Sequence, residues 1–272
     1  MLLKKGLRAN NLNHSCIFMA RVHLITGSSS GIGRATAVRI AADGGRVFLT
    51  GRDAGKLAEV VSEIGEEDGG ARCKTLAIDM TEDGACAAIV AACVAHFGSL
   101  NVVVNSAGSI KTATIDTATL EQWDFNHNIN ARAAFAITIA AIPALKLTRG
   151  NIVHVSSVNG TQSFAGCAAY CASKAALDMF VKCSAVDLGP SGVRINCVNP
   201  GVTVTALHTR GGATPEAYAA FMEHSKVTHP IGRVAQASEI ADAIVFLAAE
   251  TSGMITGTSL LVDGGRACMG AR

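Results

Sequence analysis

Three side chains draw attention first: Ser157, and the pair Tyr170 and Lys174 in the run Tyr170-Cys171-Ala172-Ser173-Lys174. Residues four apart on a helix project from one face, and the Ala-rich stretch 166–188 reads as a helix. A free phenol titrates near 10 and cycles protons poorly at neutral pH. An ammonium beside it favours phenolate and should pull that value down. Tyr170 could then give a proton to a carbonyl oxygen or take one from an alcohol. Ser157 follows an apolar strand-like run, where its hydroxyl can hold the same oxygen and stabilise charge developing there. Alone, a tyrosine and a lysine at this spacing make an ordinary helix face, so the setting decides the reading.

That setting is a repeated alternation. Apolar, β-type runs fall at 22–26, 46–50, 73–78, 100–105, 151–156, 194–199 and 259–262. Between them lie helical stretches near 32–43, 54–66, 82–97, 118–147, 166–188 and 237–249. Mostly continuous apolar runs belong to strands covered on both faces. The pattern predicts one α/β domain, a doubly wound Rossmann-type fold whose seven-stranded, mostly parallel sheet carries helices on both faces. Ser157 then sits at the carboxyl edge of the fifth strand, where such sheets bind ligands. The domain is expected over 21–272, with a loop insertion at about 203–230 containing Gly211, Gly212, Pro215, Pro230 and a short helix near Glu216–His224. Insertions of this kind often cover a ligand site, although an ordinary surface excursion looks the same in sequence.

The first strand runs into Thr26-Gly27-Ser28-Ser29-Ser30-Gly31-Ile32-Gly33, which opens the first helix. Gly27 suits a sharp turn, Gly31 a close approach of pyrophosphate to backbone N–H groups, and Gly33 tight helix–strand packing. Ser28, Ser29 and Ser30 add hydroxyl donors, with Ile32 beside them. The spacing G-x-x-x-G-x-G differs from the G-x-G-x-x-G fingerprint of dinucleotide sites. The second strand ends Thr50-Gly51-Arg52 with no acid before Asp53. An acid there usually binds the ribose of NAD, whereas the planar fork of Arg52 suits a 2′-phosphate, so NADP(H) is expected over NAD(H). A plain surface arginine is the alternative. Asp79, beside Met80 at the end of the third strand, can accept from an adenine amino group or cap the turn before Thr81.

Composition limits the rest. The chain has 272 residues, 49% hydrophobic and 16% charged, with a formal net charge of +2. It can bury a large core, and the balanced charge argues against a dedicated nucleic-acid binder. Nine cysteines with no CxxC pair, and eight scattered histidines, suggest neither a disulfide framework nor a metal site. A reducing, cytoplasmic setting is the simplest expectation. The apolar stretch 133–145 holds Thr138 and Pro143 and looks too short to cross a bilayer. Residues 1–20 carry Lys4, Lys5 and Arg8 without an acid. They read as a disordered extension, the alternative being a mitochondrial presequence.

From about Val22 to Gly265 the chain resembles the classical short-chain dehydrogenase/reductase family. The carriers are Thr26–Gly33, Asn105-Ser106-Ala107-Gly108, Asn130, Ser157 thirteen residues before Tyr170, the YxxxK pair, Pro200-Gly201 and Val262-Asp263-Gly264-Gly265. The resemblance implies an oxidoreductase moving hydride between NADP(H) and a carbonyl or secondary alcohol. It makes Tyr170 the acid/base, Ser157 the carbonyl orienter, and Lys174 the cation that lowers the phenol, together with the charge of the oxidised nicotinamide, and holds the nicotinamide ribose. Asn130 would hold a water linking the lysine to solvent. Asn105, Ala107, Gly108, Pro200, Gly201, Thr203 and Thr205 would border the cofactor. The family usually has two asparagines where this chain has Asn105-Ser106, which implies a tuned fourth strand. Homotetramers are implied by the same analogy, through the segment 239–262. Leu207, Phe221 and Met222 beside His208, Arg210 and Lys226 make a mixed substrate lining, with a lean toward 3-oxoacyl thioester reductases and glucose or general alcohol dehydrogenases. A non-catalytic nucleotide-binding or scaffolding protein is the competing reading; a lyase or epimerase fits this length and glycine turn less well.

Overall fold

In a computed structural model, which describes Phe18 and residues 20–269, seven parallel strands form one sheet in the order β3-β2-β1-β4-β5-β6-β7. The strands are β1 (Val22–Thr26), β2 (Arg46–Gly51), β3 (Cys73–Ala77), β4 (Val102–Asn105), β5 (Asn151–Val155), β6 (Arg194–Pro200) and β7 (Ser259–Val262). Every pairing is parallel, so the sheet is wholly rather than mostly so. The helices are α1 (Gly31–Ala42), α2 (Ala54–Ile64), α3 (Ala85–Phe97), α4 (Leu120–His127), α5 (Ala133–Thr148), α6 (Ala168–Leu188), α7 (Leu207–Arg210), α8 (Pro215–Val227) and α9 (Ala237–Ala248).

The apolar strand runs explain the two layers. On one face Ile89, Ile137, Leu145, Leu177 and Val181 join Leu24, Val103, Ile152 and Ile195. On the other, Ile40, Leu57, Val60, Ile240 and Ile244 meet Ile25, Val104, Val153 and Val198. Each such side chain, once buried, contributes about 1.5–3 kcal/mol before conformational entropy is counted. The strand order reverses between β1 and β4, and in sheets of this kind ligands lodge in the crevice beyond the strand ends at that point.

Three expectations change. The predicted helix 118–147 is interrupted by a π turn, Asn128–Arg132, in which the Ala133 N–H donates to the Asn128 carbonyl five residues back. Together, Leu120–Thr148 forms a helical run of 29 residues whose most apolar 18-residue window has a mean hydropathy of 1.4, long and apolar enough by those measures to cross a bilayer. Here Ala134, Ile137, Ala141 and Leu145 are fully buried in the core, and Pro143 lies on the exposed side, where the carbonyl it leaves without a donor can be hydrated. Finally, the packed body extends below residue 21. Phe18 is fully buried, edge-on to His23 at 4.9 Å, and the Arg46 guanidinium donates to the Ala20 carbonyl at 2.7 Å. The rest of the expected extension lies outside the described residues.

Candidate active site

Ser157 follows β5 in extended backbone and begins the short turn Val158–Gly160. Its hydroxyl accepts from the Asn159 N–H at 3.1 Å, which fixes the side chain at the strand end. Tyr170 lies in the first turn of α6 and Lys174 one turn later. The Lys174 Nζ donates to the Val155 carbonyl at 2.9 Å and stands 5.8 Å from the Tyr170 ring centroid. All three residues line one cleft of about 540 Å³.

The electrostatics depart from expectation. Burial raises the Tyr170 phenol, and a hydrogen bond with Ser157 offsets only part of that rise. Burial also lowers the Lys174 ammonium to about 8, against the opposing pull of Cys197 and Asp178. A cation one helical turn away therefore does not by itself make the phenol acidic. Both groups lose hydration, which disfavours phenolate and ammonium alike.

A buried polar layer lies behind this set. The Asn199 amide donates to the Asp178 carboxylate at 2.8 Å and to the Ser157 carbonyl at 2.9 Å. Gly160 lies so close that any Cβ there would collide with the Asp178 Oδ2. Asn130, in the π turn, accepts from the Ser109 N–H at 3.1 Å and donates to the Ser109 carbonyl at 2.9 Å and the Ser173 hydroxyl at 3.2 Å. It forms no part of the cleft wall, whereas its neighbours Asn128 and Ile129 do. Its amide thus clamps the segment after β4 to α6, and π turns recur at such functional positions.

The glycine turn forms the other end of the cleft. Gly27 has φ +63, and a Cβ there would come within 2.8 Å of Ala107 backbone, a conformation and a proximity only glycine accepts. Gly33 packs so that a Cβ would strike the Gly27 carbonyl. Gly27, Ser29, Ser30, Gly31 and Ile32 line the cleft, joined by Arg52, Asp79 and Met80. Ser28 does not serve as a donor to the cleft: fully buried, its hydroxyl donates to the Thr50 carbonyl at 3.2 Å. Gly33 and Asn105 likewise lie behind the wall rather than in it. Asn105 accepts from the Thr26 hydroxyl at 2.6 Å and bonds the His154 Nδ1 at 3.1 Å. Ser106, by contrast, lies past the end of β4 and faces the cleft, so the departure from two asparagines alters the cleft surface and not the strand.

Arg52 is largely exposed and stands 3.8 Å from Asp79. Asp79 accepts from the Thr81 N–H at 2.9 Å and hydroxyl at 2.7 Å, closing a turn well ahead of α3. A second cation, Arg210 of α7, approaches Arg52 closely enough to lower its own pKa further after burial has done so. Like charges facing one cleft favour an anion between them.

Toward the open end, Ala107, Gly108, Pro200, Gly201, Thr203, Thr205, Leu207, His208, Arg210 and Phe221 all line the wall. Met222 and Lys226 do not; Lys226 pairs instead with Glu223 on the exposed face of α8. His229 secures the inserted segment, its Nε2 accepting from the Val202 N–H at 3.1 Å. Sequence reasoning missed Ile110, Phe125, Asn159, Phe164, Cys167 and Arg266 on the wall. Only Arg266, directly after the glycine pair of the closing motif, carried a signal that could have been used.

Among the described residues no group of three or more His, Cys, Asp or Glu is placed to hold a metal ion.

A family model described as enoyl-(acyl carrier protein) reductase matches residues 27–267. The trans-4-hydroxycyclohexanecarboxylate dehydrogenase of Sinomonas cyclohexanicum is 34% identical, over 90% of this chain and 92% of its own. Cyclopentanol dehydrogenase of Comamonas sp. (strain NCIMB 9872) is 33% identical, over 90% of this chain and 96% of its own. L-xylulose reductase of Mesocricetus auratus is 31% identical, over 89% and 94%. A crystal structure of a short-chain dehydrogenase/reductase of unknown function from Caenorhabditis elegans, with cofactor, superposes with a TM-score of 0.88 at 30% identity, over 93% of this chain and 97% of that one. Relatives of this kind are dehydrogenases and reductases of alcohols and ketones that use a nicotinamide cofactor. With this extent of match, and with the glycine turn and the Ser157, Tyr170, Lys174 set on one cleft, the chain belongs to the short-chain dehydrogenase/reductase family.

Proposed function

We propose that the chain is an NADP(H)-dependent oxidoreductase that interconverts a small secondary alcohol and its ketone, with Tyr170 as the acid/base. The observation that carries this reading is the convergence of Ser157, Tyr170 and Lys174 on the cleft that also holds the glycine turn. The cradle fits a dinucleotide: at Gly27 a Cβ would intrude on the backbone of Ala107, and at Gly31 it would meet the Thr205 side chain at 3.2 Å. Gly27, Ser29, Ser30, Gly31 and Ile32 would hold the pyrophosphate, and Arg52 the 2′-phosphate with Arg210 near it. Asp79 and Met80 would border the adenine. Lys174, Ala107, Gly108 and the run Pro200–Thr205 would border the nicotinamide half. When bound, the coenzyme supplies the hydride donor or acceptor and, in its oxidised form, a positive charge that favours phenolate.

The chain's own residues then have distinct tasks. Ser157 orients the substrate oxygen, and Tyr170 donates or withdraws the proton on it. Lys174, held on the Val155 carbonyl, keeps a positive charge behind the phenol. Ile110, Phe164 and Phe221 give an apolar bed to the carbon skeleton, which suits compact ring alcohols such as those in the names of two relatives. A homotetramer is part of this proposal; exposed apolar residues on α9 and β7, Phe246 and Leu261, agree with it. A cytoplasmic location is proposed on the same family grounds.

The test is absorbance at the nicotinamide band, with NADPH and then NADH, over a panel of cyclic ketones. Turnover with NADPH is expected, and Tyr170→Phe should reduce it by about 10²–10⁴-fold. A non-catalytic protein would bind the nucleotide without turnover, and Tyr170→Phe would then change nothing.

A further inference from the structure

We propose that the substrate carries an anionic group, a carboxylate in the simplest case, which the Arg266 guanidinium receives at the cleft wall. This rests on the oxidoreductase reading above and adds the substrate's charge to it. Arg266 opens the short turn Arg266–Cys268 that follows Gly264 and Gly265, both at positive φ. The turn is tightly fixed. Asp263 accepts from the Gly265 N–H at 2.9 Å and the Ala267 N–H at 2.7 Å, and the Gln162 amide donates to the Ala267 carbonyl at 2.9 Å. Asp263, the acid closest in sequence, therefore spends both oxygens on backbone.

The guanidinium lies 4.7 Å from the centroid of the Phe164 ring and faces the cleft. Among the described residues its side chain has no carboxylate within ion-pair distance and no hydrogen-bond acceptor. The contrast with other arginines is clear: Arg34, Arg39 and Arg233 pair with acids, and Arg194 donates to three backbone carbonyls. Burial lowers the pKa of Arg266 against the opposing charge of Asp263, and His208, a second wall residue, is lowered by burial and then by the charge of Arg266. A half-buried, planar fork of donors over an aromatic ring, with no internal acceptor among the described residues, is a receptor for a planar anion. Its neighbours Phe164 and Gln162 belong to the segment after Ser157 and not to the glycine turn, so the anion belongs to the substrate rather than to the coenzyme phosphates. The expected substrate is an apolar ring or short chain with an anionic end.

The probes are 4-oxocyclohexanecarboxylate, its methyl ester and 4-methylcyclohexanone, each reduced with NADPH by the full-length chain. A charged hydrogen-bonded pair predicts a kcat/KM for the acid about 10- to 100-fold above that for the ester. Arg266→Leu should bring acid and ester close to parity, while Arg266→Lys, which keeps the charge without the fork, should retain part of the difference. Equal or poorer use of the acid by the unmodified enzyme overturns the proposal, as does an advantage that survives Arg266→Leu. Failure with all three ketones would instead refute the oxidoreductase reading. Calorimetry with cyclohexanecarboxylate then decides the role of Arg266: binding weakened at least tenfold by Arg266→Leu supports it, and no binding, or binding unaffected by the change, overturns it.

Discussion

Replacing Asp178 with asparagine removes a charge that faces no substrate yet should move the pH profile of the enzyme. Asp178 is buried one helical turn after Lys174, and its charge opposes the effect of burial on that ammonium. At a separation of about 6 Å and an effective dielectric of about 20, one negative charge stabilises the cation by about 3 kcal/mol, or about two pH units. Lys174 would then fall from about 8 toward about 6 in the Asp178→Asn enzyme. In the direction of ketone reduction Tyr170 must be protonated, and its raised pKa keeps it so across the working range. The basic limb of kcat/KM therefore reports the loss of charge on Lys174, because that parameter follows groups of the free enzyme. Profiles of NADPH-dependent reduction from pH 5 to 10 should show the limb near pH 8 in the parent and one to two units lower in the variant. A limb that stays in place, in a variant whose circular dichroism is native, would show that the carboxylate does not set the charge state of Lys174.

Two further outcomes follow from the same geometry. Arg52→Asp should turn nucleotide preference toward NADH by about 10- to 100-fold in kcat/KM, since it replaces a phosphate-binding fork with an acid that suits ribose hydroxyls; an unchanged ratio would remove Arg52 from the site. Acid should destabilise the fold through His23 and His154, each fully buried and lowered to about 3 chiefly by burial. Below pH 6.5 the unfolded chain binds protons these residues refuse, so stability falls as pH falls toward 3. Between pH 7 and 5 the loss is about 2 kcal/mol for each histidine. Urea midpoints at the two pH values measure it, and His154→Gln should remove about half of the dependence.

How much of this was legible in the sequence depended on the range of the interaction. The seven strands were readable because a strand covered on both faces must be apolar throughout, and Val102–Asn105 or Asn151–Val155 can be little else. The glycine turn and the Tyr170–Lys174 spacing were local and equally plain. The π turn at Asn128–Arg132 was not, because its cause is tertiary: Asn130 must reach Ser109 and Ser173 at once. Phe18 looked like part of a tail because its partner, His23, is itself hidden in a strand. Ser28 looked like its neighbours until the turn pointed its hydroxyl at Thr50. The largest miss concerned the ammonium's share in lowering the phenol. Helical spacing brings an ammonium near it but says nothing of desolvation, and desolvation dominates at both groups. Arg266 is only partly legible: its place after the glycine pair is local, but Phe164 and Gln162, which define its setting, come from a distant part of the chain.

The central claim is that the buried phenol becomes an effective base only with oxidised coenzyme beside it. The chain has only two tyrosines, so in a Tyr218→Phe background the phenolate absorbance reports Tyr170 alone. Titration without nucleotide should show no phenolate until well above pH 10, and addition of NADP+ should move the transition down by at least two units. A transition near pH 10 that ignores the nucleotide would contradict the account.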